Sequence, residues 1–164
     1  MSRETYVNLM SFIGQRKSLV RLIITVNKVF TYLVYIFYPC FILYLFLKGY
    51  DGAYRAVLVP GVSFVVVTVF RKIVNAPRPY EVFEYPSVIP KDTKGKSFPS
   101  RHVFSIFIIG FTALFYIPPA GAVILCMGVF LAVVRVLGGV HFTRDILGSL
   151  MFSIIFVIIG FYVA

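Results

Sequence analysis

The residues that decide the fold form one uncharged stretch, VFSIFIIGFTALFYIPPAGAVILCMGVFLAVV, at positions 103–134. Its 32 residues include no Asp, Glu, Lys, Arg or His, and Pro118-Pro119 divides it into two arms of similar length. Because proline interrupts a helix interior but is accepted in a first turn, the stretch predicts a helical hairpin that turns at the two prolines.

Each arm of this hairpin is short for a bilayer core of about 30 Å. We therefore expect both helices to continue outward, the first into PSRH and the second into RVLGG. This extension would bring Arg101, His102 and Arg135 to the membrane boundary, where ionisable side chains are candidates for function.

Three further segments are apolar enough to span a membrane, at 29–47, 56–70 and 146–164. The whole chain is 60% hydrophobic and only 13% charged, which is about half the usual charged share of soluble proteins. The sequence thus predicts an all-α, polytopic transmembrane helical bundle of five spans, built as a single membrane-embedded domain over residues 1–164.

The first 28 residues do not form an uncharged span, because Arg16, Lys17 and Arg21 interrupt their apolar run. A charge at the centre of a bilayer costs about 2.5–3.5 kcal/mol on insertion scales. We predict an interfacial amphipathic helix that leads into the first span. A sixth span is the alternative.

The charge of the chain is strongly positive, with 16 Lys and Arg against 6 Asp and Glu. In a membrane protein this excess indicates anionic lipid headgroups and phosphates rather than nucleic acid. Five spans would place the polar loops 71–101 and 135–144 on one face with fourteen basic residues, and only Lys48 and Arg55 on the other. The positive-inside rule then puts these loops in the cytoplasm, whereas six spans would put them outside.

The first loop begins with FRKIVNAPRPYE, which contains Arg71, Lys72 and Arg78. A positive flank that anchors a span would account for Arg71 and Lys72. Arg78 lies between two prolines, which hold it in a stiff extended segment. A rigid arginine suits bidentate binding of a phosphate.

The same loop ends in FPSRH, where Ser100 occupies the expected N-cap of the hairpin's first helix. The N–H groups at a helix N-terminus favour anions, although a plain N-cap would also explain Ser100. The second loop carries His141 and Asp145, which are four residues apart and would share a helix face. Asp145 could then orient His141 as a nucleophile, or pair structurally with Arg144 or Arg135.

The chain has two histidines in all, and both fall in these two loops beside arginines. Two histidines among phosphate-binding cations indicate phosphoryl transfer through a phosphohistidine. The carboxylates near the loops show no clustered metal-ligand pattern, so we expect neither a metal nor another cofactor.

Together these segments resemble the type 2 phosphatidic acid phosphatases, integral-membrane lipid phosphatases related to the vanadium haloperoxidases. That family carries Lys-x6-Arg-Pro, Pro-Ser-Gly-His and Ser-Arg-x5-His-x3-Asp, and the chain matches their order and spacing. Its versions are Arg71-x6-Arg78-Pro79, Pro99-Ser100-Arg101-His102 and Val134-Arg135-x5-His141-x3-Asp145.

The chain departs from the family at three positions. Arg71 stands where Lys is usual and keeps the charge, with Lys72 as the reserve candidate. Arg101 replaces glycine and adds a cation that would favour a diphosphate or a second anionic group. Val134 replaces serine and removes one hydroxyl donor.

The resemblance implies roles for eight residues. His141 would attack phosphorus, Asp145 would orient it, and His102 would protonate the leaving group. The phosphate would be bound by Arg71, Arg78, Ser100, Arg101 and Arg135.

The resemblance also implies hydrolysis of a lipid phosphate or diphosphate in a bacterial plasma membrane. Undecaprenyl diphosphate, phosphatidylglycerol phosphate and phosphatidic acid are the candidate substrates. The alternative is a non-catalytic lipid-phosphate-binding or transport protein, and the oligomeric state is not readable from the sequence.

Overall fold

The computed structural model describes residues 1–163, which form helices and loops with no strand among them. Four helices are long and apolar enough to cross a membrane, and a fifth apolar helix of 16 residues lies between them in sequence. These observations confirm the all-α, polytopic bundle. The helices are α1 (Arg3–Gly14), α2 (Lys17–Leu47), α3 (Arg55–Val74), α4 (Pro79–Val82), α5 (Arg101–Tyr116), α6 (Pro118–Leu137) and α7 (Thr143–Ile158), followed by a π-helical turn over Ile159–Val163.

Helix α5 is the centre of the bundle. Nine of its 16 residues are buried, and it packs against α2, α3, α6 and α7. Its partners therefore enclose it, although α2, α3 and α6 are all longer. The predicted hairpin is present, because Pro118 begins α6 directly after the turn at Ile117.

The two arms of the hairpin lie very close together at Gly121. A Cβ atom at this position would stand 2.2 Å from the backbone nitrogen of Leu114. Only glycine allows this approach, in the way that small residues generally allow membrane helices to pack closely. The hairpin thus depends on a small residue as well as on its prolines.

Helix α1 is too short to cross a membrane, since its 12 residues span about 18 Å. Its buried face consists of Tyr6, Met10 and Ile13, and the Tyr6 hydroxyl bonds to the loop between α6 and α7. The N-terminal helix therefore lies on the same face as that loop. This agrees with the predicted interfacial helix and not with a sixth span.

Several spans are longer than the uncharged runs that predicted them. Helix α2 begins at Lys17 rather than near residue 29, and α3 continues to Val74. Long basic side chains allow this, because they can lie along apolar surface and still reach water. The last span begins at Thr143, and Ala164 lies outside the described residues.

Large apolar side chains cover the outside of the bundle, and Leu47 and Ile73 are each 77% exposed. Cys40 and Cys126 are free and exposed on the same surface, which makes them lipid-facing. The loop between α3 and α5 and the loop between α6 and α7 meet at one end, where the charged residues are buried.

Candidate active site

His141 lies in the loop before α7 and is 1% exposed. Its Nδ1 is 3.3 Å from Oδ2 of Asp145, which belongs to the first turn of α7. The predicted pair is present, but the expectation that both residues lie on a helix was wrong. The chain turns at Phe142, whose N–H also donates to Oδ2 at 3.0 Å.

Ser97 completes this cluster, and the sequence analysis missed it. Its hydroxyl donates to Oδ2 of Asp145 at 2.5 Å and lies 3.4 Å from Nδ1 of His141. Oδ2 thus accepts from a hydroxyl, a backbone N–H and an imidazole. A carboxylate in this position assigns the proton of His141 to Nδ1 and leaves the lone pair on Nε2.

The charge state of His141 follows from its burial. Loss of solvent lowers the pKa of His141 to about 3, the bond to Asp145 opposes this shift, and the charges of Arg135 and Arg78 reinforce it. The imidazole is therefore neutral at neutral pH. A neutral imidazole with a free Nε2 is the form that can act as a nucleophile.

Arg71 and Arg78 are buried, and Arg78 connects the loop between α3 and α5 to the loop between α6 and α7. Arg71 donates to the carbonyls of Ser97 and Lys96. Arg78 donates to Gly95 at 3.0 Å and to Val140 at 3.3 Å. Its backbone is extended, with φ −92° and ψ 161°, as its two flanking prolines predicted. Lys72 is exposed, so Arg71 is the residue that reaches the site.

Arg135 is the most enclosed of the three arginines, at 3% exposure in the last turn of α6. Its Nη1 donates to Oδ1 of Asn27 on α2 at 3.0 Å, while its Nε has no hydrogen-bond partner. Asn27 was also missed, although a lone amide within LIITVNKVF was a usable signal. Arg135 therefore does not pair with Asp145; Arg144 approaches Oδ1 of that carboxylate, at 3.8 Å.

Ser100 occupies the N-cap of α5, but its side chain makes no cap hydrogen bond. Its backbone N–H donates to the carbonyl of Asp145, and its carbonyl accepts from the Ser149 hydroxyl. The Ser100 hydroxyl is buried without a partner. Simple capping therefore does not explain this side chain.

Arg101 and His102 follow Ser100 and face a cavity of about 180 Å³. Arg101 also lies over the ring of Phe64, with 5.7 Å from Cζ to the ring centroid. The other lining residues come from α2, α3, α5 and α6 and are mostly apolar: Phe30, Thr31, Val34, Tyr35, Phe64, Ser105, Ile106 and Leu131. The cavity thus combines two ionisable side chains with a mostly apolar lining.

All eight predicted site residues lie at the same end of the bundle, with Ser97 and Asn27 added to them. The charges of Arg78, Arg101 and Asp145 act on the guanidinium group of Arg71. The charges of His141 and Arg135 act on the imidazole of His102. Among residues 1–163 there is no group of three or more His, Cys, Asp or Glu side chains that could hold a metal. The polar groups gathered at this end are imidazoles, guanidinium groups, hydroxyls and the carboxylate of Asp145.

A model of the PAP2 superfamily matches residues 52–164 of this chain. The chain belongs to the PAP2 superfamily. This confirms the resemblance to the type 2 phosphatidic acid phosphatases, which rested on the three motifs between residues 71 and 145. The matched region contains every predicted site residue.

Solved structures show the same fold. The crystal structure of Aquifex aeolicus LpxE has a TM-score of 0.69 and 24% identity, and the match covers 87% of this chain and 92% of that one. A PAP2-type phosphatidylglycerolphosphate phosphatase from Bacillus subtilis has a TM-score of 0.61 and 16% identity, with coverage of 95% and 90%. A search of curated proteins gave no match.

Family membership and the apolar helices together give the coarse function. The chain is an integral membrane protein and a lipid phosphatase, that is, a hydrolase of phosphate esters.

Proposed function

We propose that this chain hydrolyses a lipid phosphate or diphosphate monoester by a metal-independent phosphohistidine mechanism. The observation that carries the proposal is the buried His141, whose Nδ1 faces Asp145 and whose surroundings are the guanidinium groups of Arg135 and Arg78. Residues 1–164 would act as one membrane-embedded domain in a bacterial plasma membrane.

In the first step, the Nε2 lone pair of His141 attacks phosphorus and forms a P–N bond. The bond from phosphorus to the lipid oxygen breaks, and that oxygen takes a proton from His102. Water then attacks the phosphohistidine, releases orthophosphate and regenerates the imidazole, with His102 accepting a proton from the water. Asp145 continues to accept the hydrogen bond from Nδ1 of His141 and stabilises the positive charge that develops on this imidazole.

The arginines supply the electrostatic part of the catalysis. Each guanidinium carries more N–H donors than its contacts with the protein use, so Arg71, Arg78 and Arg135 can also bind phosphate oxygens. Two buried donors, Nε of Arg135 and the hydroxyl of Ser100, have no protein partner. A buried polar group without a partner costs about 1–3 kcal/mol, and a phosphate would satisfy both.

The proton on His102 requires the substrate. The charges of Arg135, Lys91 and Arg101 all act against a second positive charge at this imidazole. A phosphate dianion among these cations would offset their repulsion and favour the protonated ring. Binding of the substrate would thus favour protonation of His102, the general acid.

The cavity beside Arg101 and His102 fits a lipid substrate. Arg101 and His102 of the predicted phosphate site line it, and the rest of its mostly apolar lining comes from α2, α3, α5 and α6. A lipid tail could therefore stay in the bilayer while its phosphate reaches the histidines. Phosphatidylglycerol phosphate, the substrate named for the B. subtilis neighbour, remains a candidate beside undecaprenyl diphosphate and phosphatidic acid.

The test is phosphate release from these three lipids by the purified chain in detergent with EDTA, beside His141→Ala. We expect release by the wild type and a loss of at least about a thousandfold in the variant. Quenching a reaction on ³²P-labelled lipid should trap label that is stable to base and labile to acid, as expected for a phosphohistidine.

Folding of His141→Ala is checked by its thermal unfolding in detergent, and His141→Asn serves as a second variant of similar size. Loss of release in EDTA with recovery on adding a metal would overturn the metal-independent mechanism. Lipid-phosphate binding without turnover by the folded wild type would favour the non-catalytic alternative.

A further inference from the structure

Helix α2 lies outside residues 52–164, the region that the superfamily model matches, but one of its side chains contacts the site. Oδ1 of Asn27 accepts a hydrogen bond from Nη1 of Arg135 at 3.0 Å. Asn27 is half-buried in α2, and Arg135 lies in the last turn of α6. The bond therefore joins a helix outside the matched region to a candidate phosphate-binding residue.

Asn27 is the hydrogen-bond partner that fixes the guanidinium group of Arg135. The Arg135 side chain is 3% exposed, and within residues 1–163 it makes no other hydrogen bond and no ion pair. Its Nε is buried without a partner. An arginine side chain has several rotatable bonds, so burial by itself does not set the direction of its N–H donors. The contact with Asn27 therefore determines how this guanidinium group is oriented.

The face of α2 that carries Asn27 packs against the site one turn earlier and one turn later. Ile23 is buried in the same apolar cluster as Val140, which lies in the loop between α6 and α7. Thr31 lines the cavity that His102 also lines, and its hydroxyl donates to the Asn27 carbonyl at 2.7 Å. Residues four apart share a helix face, so this packing holds the backbone from which the amide extends.

Helix α6 shows the same arrangement from the opposite side. Leu131 lines the cavity together with Thr31, and Arg135 follows Leu131 by four residues. Because α2 begins and α6 ends at the face of the polar loops, Asn27 and Arg135 meet one turn closer to those loops than Thr31 and Leu131. The bond therefore lies where α2 and α6 reach the site.

The chemistry of the two groups suits orientation of a phosphate-binding arginine. A guanidinium group has N–H donors and no acceptor, so Asn27 presents its oxygen and not its amino group to Arg135. An amide oxygen fixes the donor without adding a negative charge, whereas a carboxylate would offset the charge of the arginine. The positive charge of Arg135 and its remaining N–H donors thus stay available to a phosphate.

We propose that Asn27 is a positioning residue, which orients Arg135 for phosphate binding and so makes α2 a part of the site. This proposal rests on the proposed function. The alternative is a plain interhelical hydrogen bond, which would hold α2 against α6 without affecting the phosphate. The two roles can be separated, because only positioning acts through the guanidinium group of Arg135.

A double-mutant cycle on orthophosphate binding tests the proposal without turnover. Asn27→Leu keeps a similar shape without an acceptor, and Arg135→Met removes the guanidinium group but keeps an extended side chain. Dissociation constants of inorganic phosphate are measured by ³¹P NMR titration of the full chain in a detergent that contains no phosphorus. Asn27→Leu should weaken binding about tenfold in the otherwise wild-type chain, but by less than about twofold when combined with Arg135→Met.

Thr25→Val is the matched control, because Thr25 is an exposed polar residue of the same helix. It should leave the dissociation constant of orthophosphate unchanged. Asn27→Ala is a second variant without the acceptor and should behave as Asn27→Leu does. Thermal unfolding in detergent shows whether each variant is folded.

Equal weakening by Asn27→Leu in both backgrounds would overturn the proposal, because Asn27 would then act by a route other than Arg135. A lower unfolding temperature with an unchanged dissociation constant would also refute it and would leave the interhelical bond as the role of Asn27. A folded wild type that does not bind orthophosphate would contradict it too, since Arg135 would then have no phosphate to bind.

Turnover separates this proposal from the proposed function. The kcat/KM of Asn27→Leu on the best lipid should fall about tenfold, and that of Thr25→Val should not change. Wild-type hydrolysis of any of the three candidate lipids supports the proposed function whatever Asn27 does. If the wild type binds orthophosphate but hydrolyses none of them, the proposed function fails, and the binding cycle still decides the role of Asn27.

Discussion

At the scale of single residues, two influences act in opposite directions on His141. Burial disfavours the protonated ring and lowers the pKa of His141, whereas the carboxylate of Asp145 favours the protonated ring and raises this pKa. Burial dominates, because the ring is almost completely enclosed and two arginines add to the effect. The carboxylate therefore sets the tautomer of a neutral ring in the free protein, and it can stabilise the cation only when attack creates one.

This balance predicts the titration of His141. The pKa of this imidazole is lowered to about 3, against about 6.5 for a free histidine. His141 should stay neutral between pH 8 and pH 5, with its proton on Nδ1. Below about pH 6.5 the unfolded chain would bind a proton that the folded chain does not, so stability should fall as the pH drops.

The measurement is ¹⁵N NMR of the imidazole nitrogens in detergent. Since the chain has only two histidines, His102→Gln leaves His141 as the sole source of signal. Constant chemical shifts with a protonated Nδ1 are expected from pH 8 to 5. A midpoint near pH 6.5 would show that His141 is accessible to solvent and would contradict the proposed burial.

The motifs predicted the charged residues of the site but not all of their neighbours. Arg78 was predictable because prolines on both sides restrict its backbone. Ser97 was not, because a serine in a polar loop has no spacing that relates it to Asp145, 48 residues away. Such contacts depend on tertiary packing, which periodicity does not encode.

At the scale of elements, α1 supports the loop that carries His141. Gly139 has a φ of +74°, and a Cβ atom there would stand 2.5 Å from Sδ of Met10. The Tyr6 hydroxyl donates to the Gly139 carbonyl at 3.0 Å. The interfacial helix thus holds the backbone two residues before His141.

Tyr6→Phe should therefore lower kcat several-fold with little change in KM, because a small displacement of the nucleophile weakens attack more than binding. The buried Gly139 carbonyl would also lose its partner, at a cost of about 1–3 kcal/mol in stability. Initial rates on the best lipid substrate and thermal unfolding in detergent give both quantities.

Tyr32→Phe is the control, because Tyr32 is 63% exposed on the lipid-facing side of α2. It should leave kcat and stability unchanged. A Tyr6→Phe variant that loses stability but keeps its kcat would show that α1 stabilises the bundle without positioning His141.

Element boundaries were predicted less well than element types. The hairpin followed from uncharged sequence and two prolines, which leave few alternatives. The start of α2 was misplaced because Lys17 and Arg21 look like a boundary in sequence, whereas helix hydrogen bonds continue through them. Whether a basic residue ends a span depends on where its side chain can reach water, which is a property of the fold.

At the scale of the whole molecule, the five apolar helices and the position of α1 fix which segments share a face. The N-terminal helix and both polar loops are together, and the turn between α2 and α3 lies at the other end. Fourteen basic residues are on the face of the site and two are on the opposite face. Setting aside the candidate phosphate-binding residues and their neighbours leaves eight against two.

The positive-inside rule applied to this distribution predicts that the site faces the cytoplasm. Single cysteines can test this in a background with Cys40→Ala and Cys126→Ala. Lys94→Cys reports on the loop between α3 and α5 and Lys48→Cys on the turn after α2, and both positions are exposed. A membrane-impermeant maleimide should label Lys48→Cys in intact bacterial cells and Lys94→Cys only after the cells are permeabilised. Each substitution removes one positive charge, so the two variants differ only in position. The reverse pattern would place the site outside and show that phosphate-binding arginines, rather than topology, account for the excess of positive charge on that face.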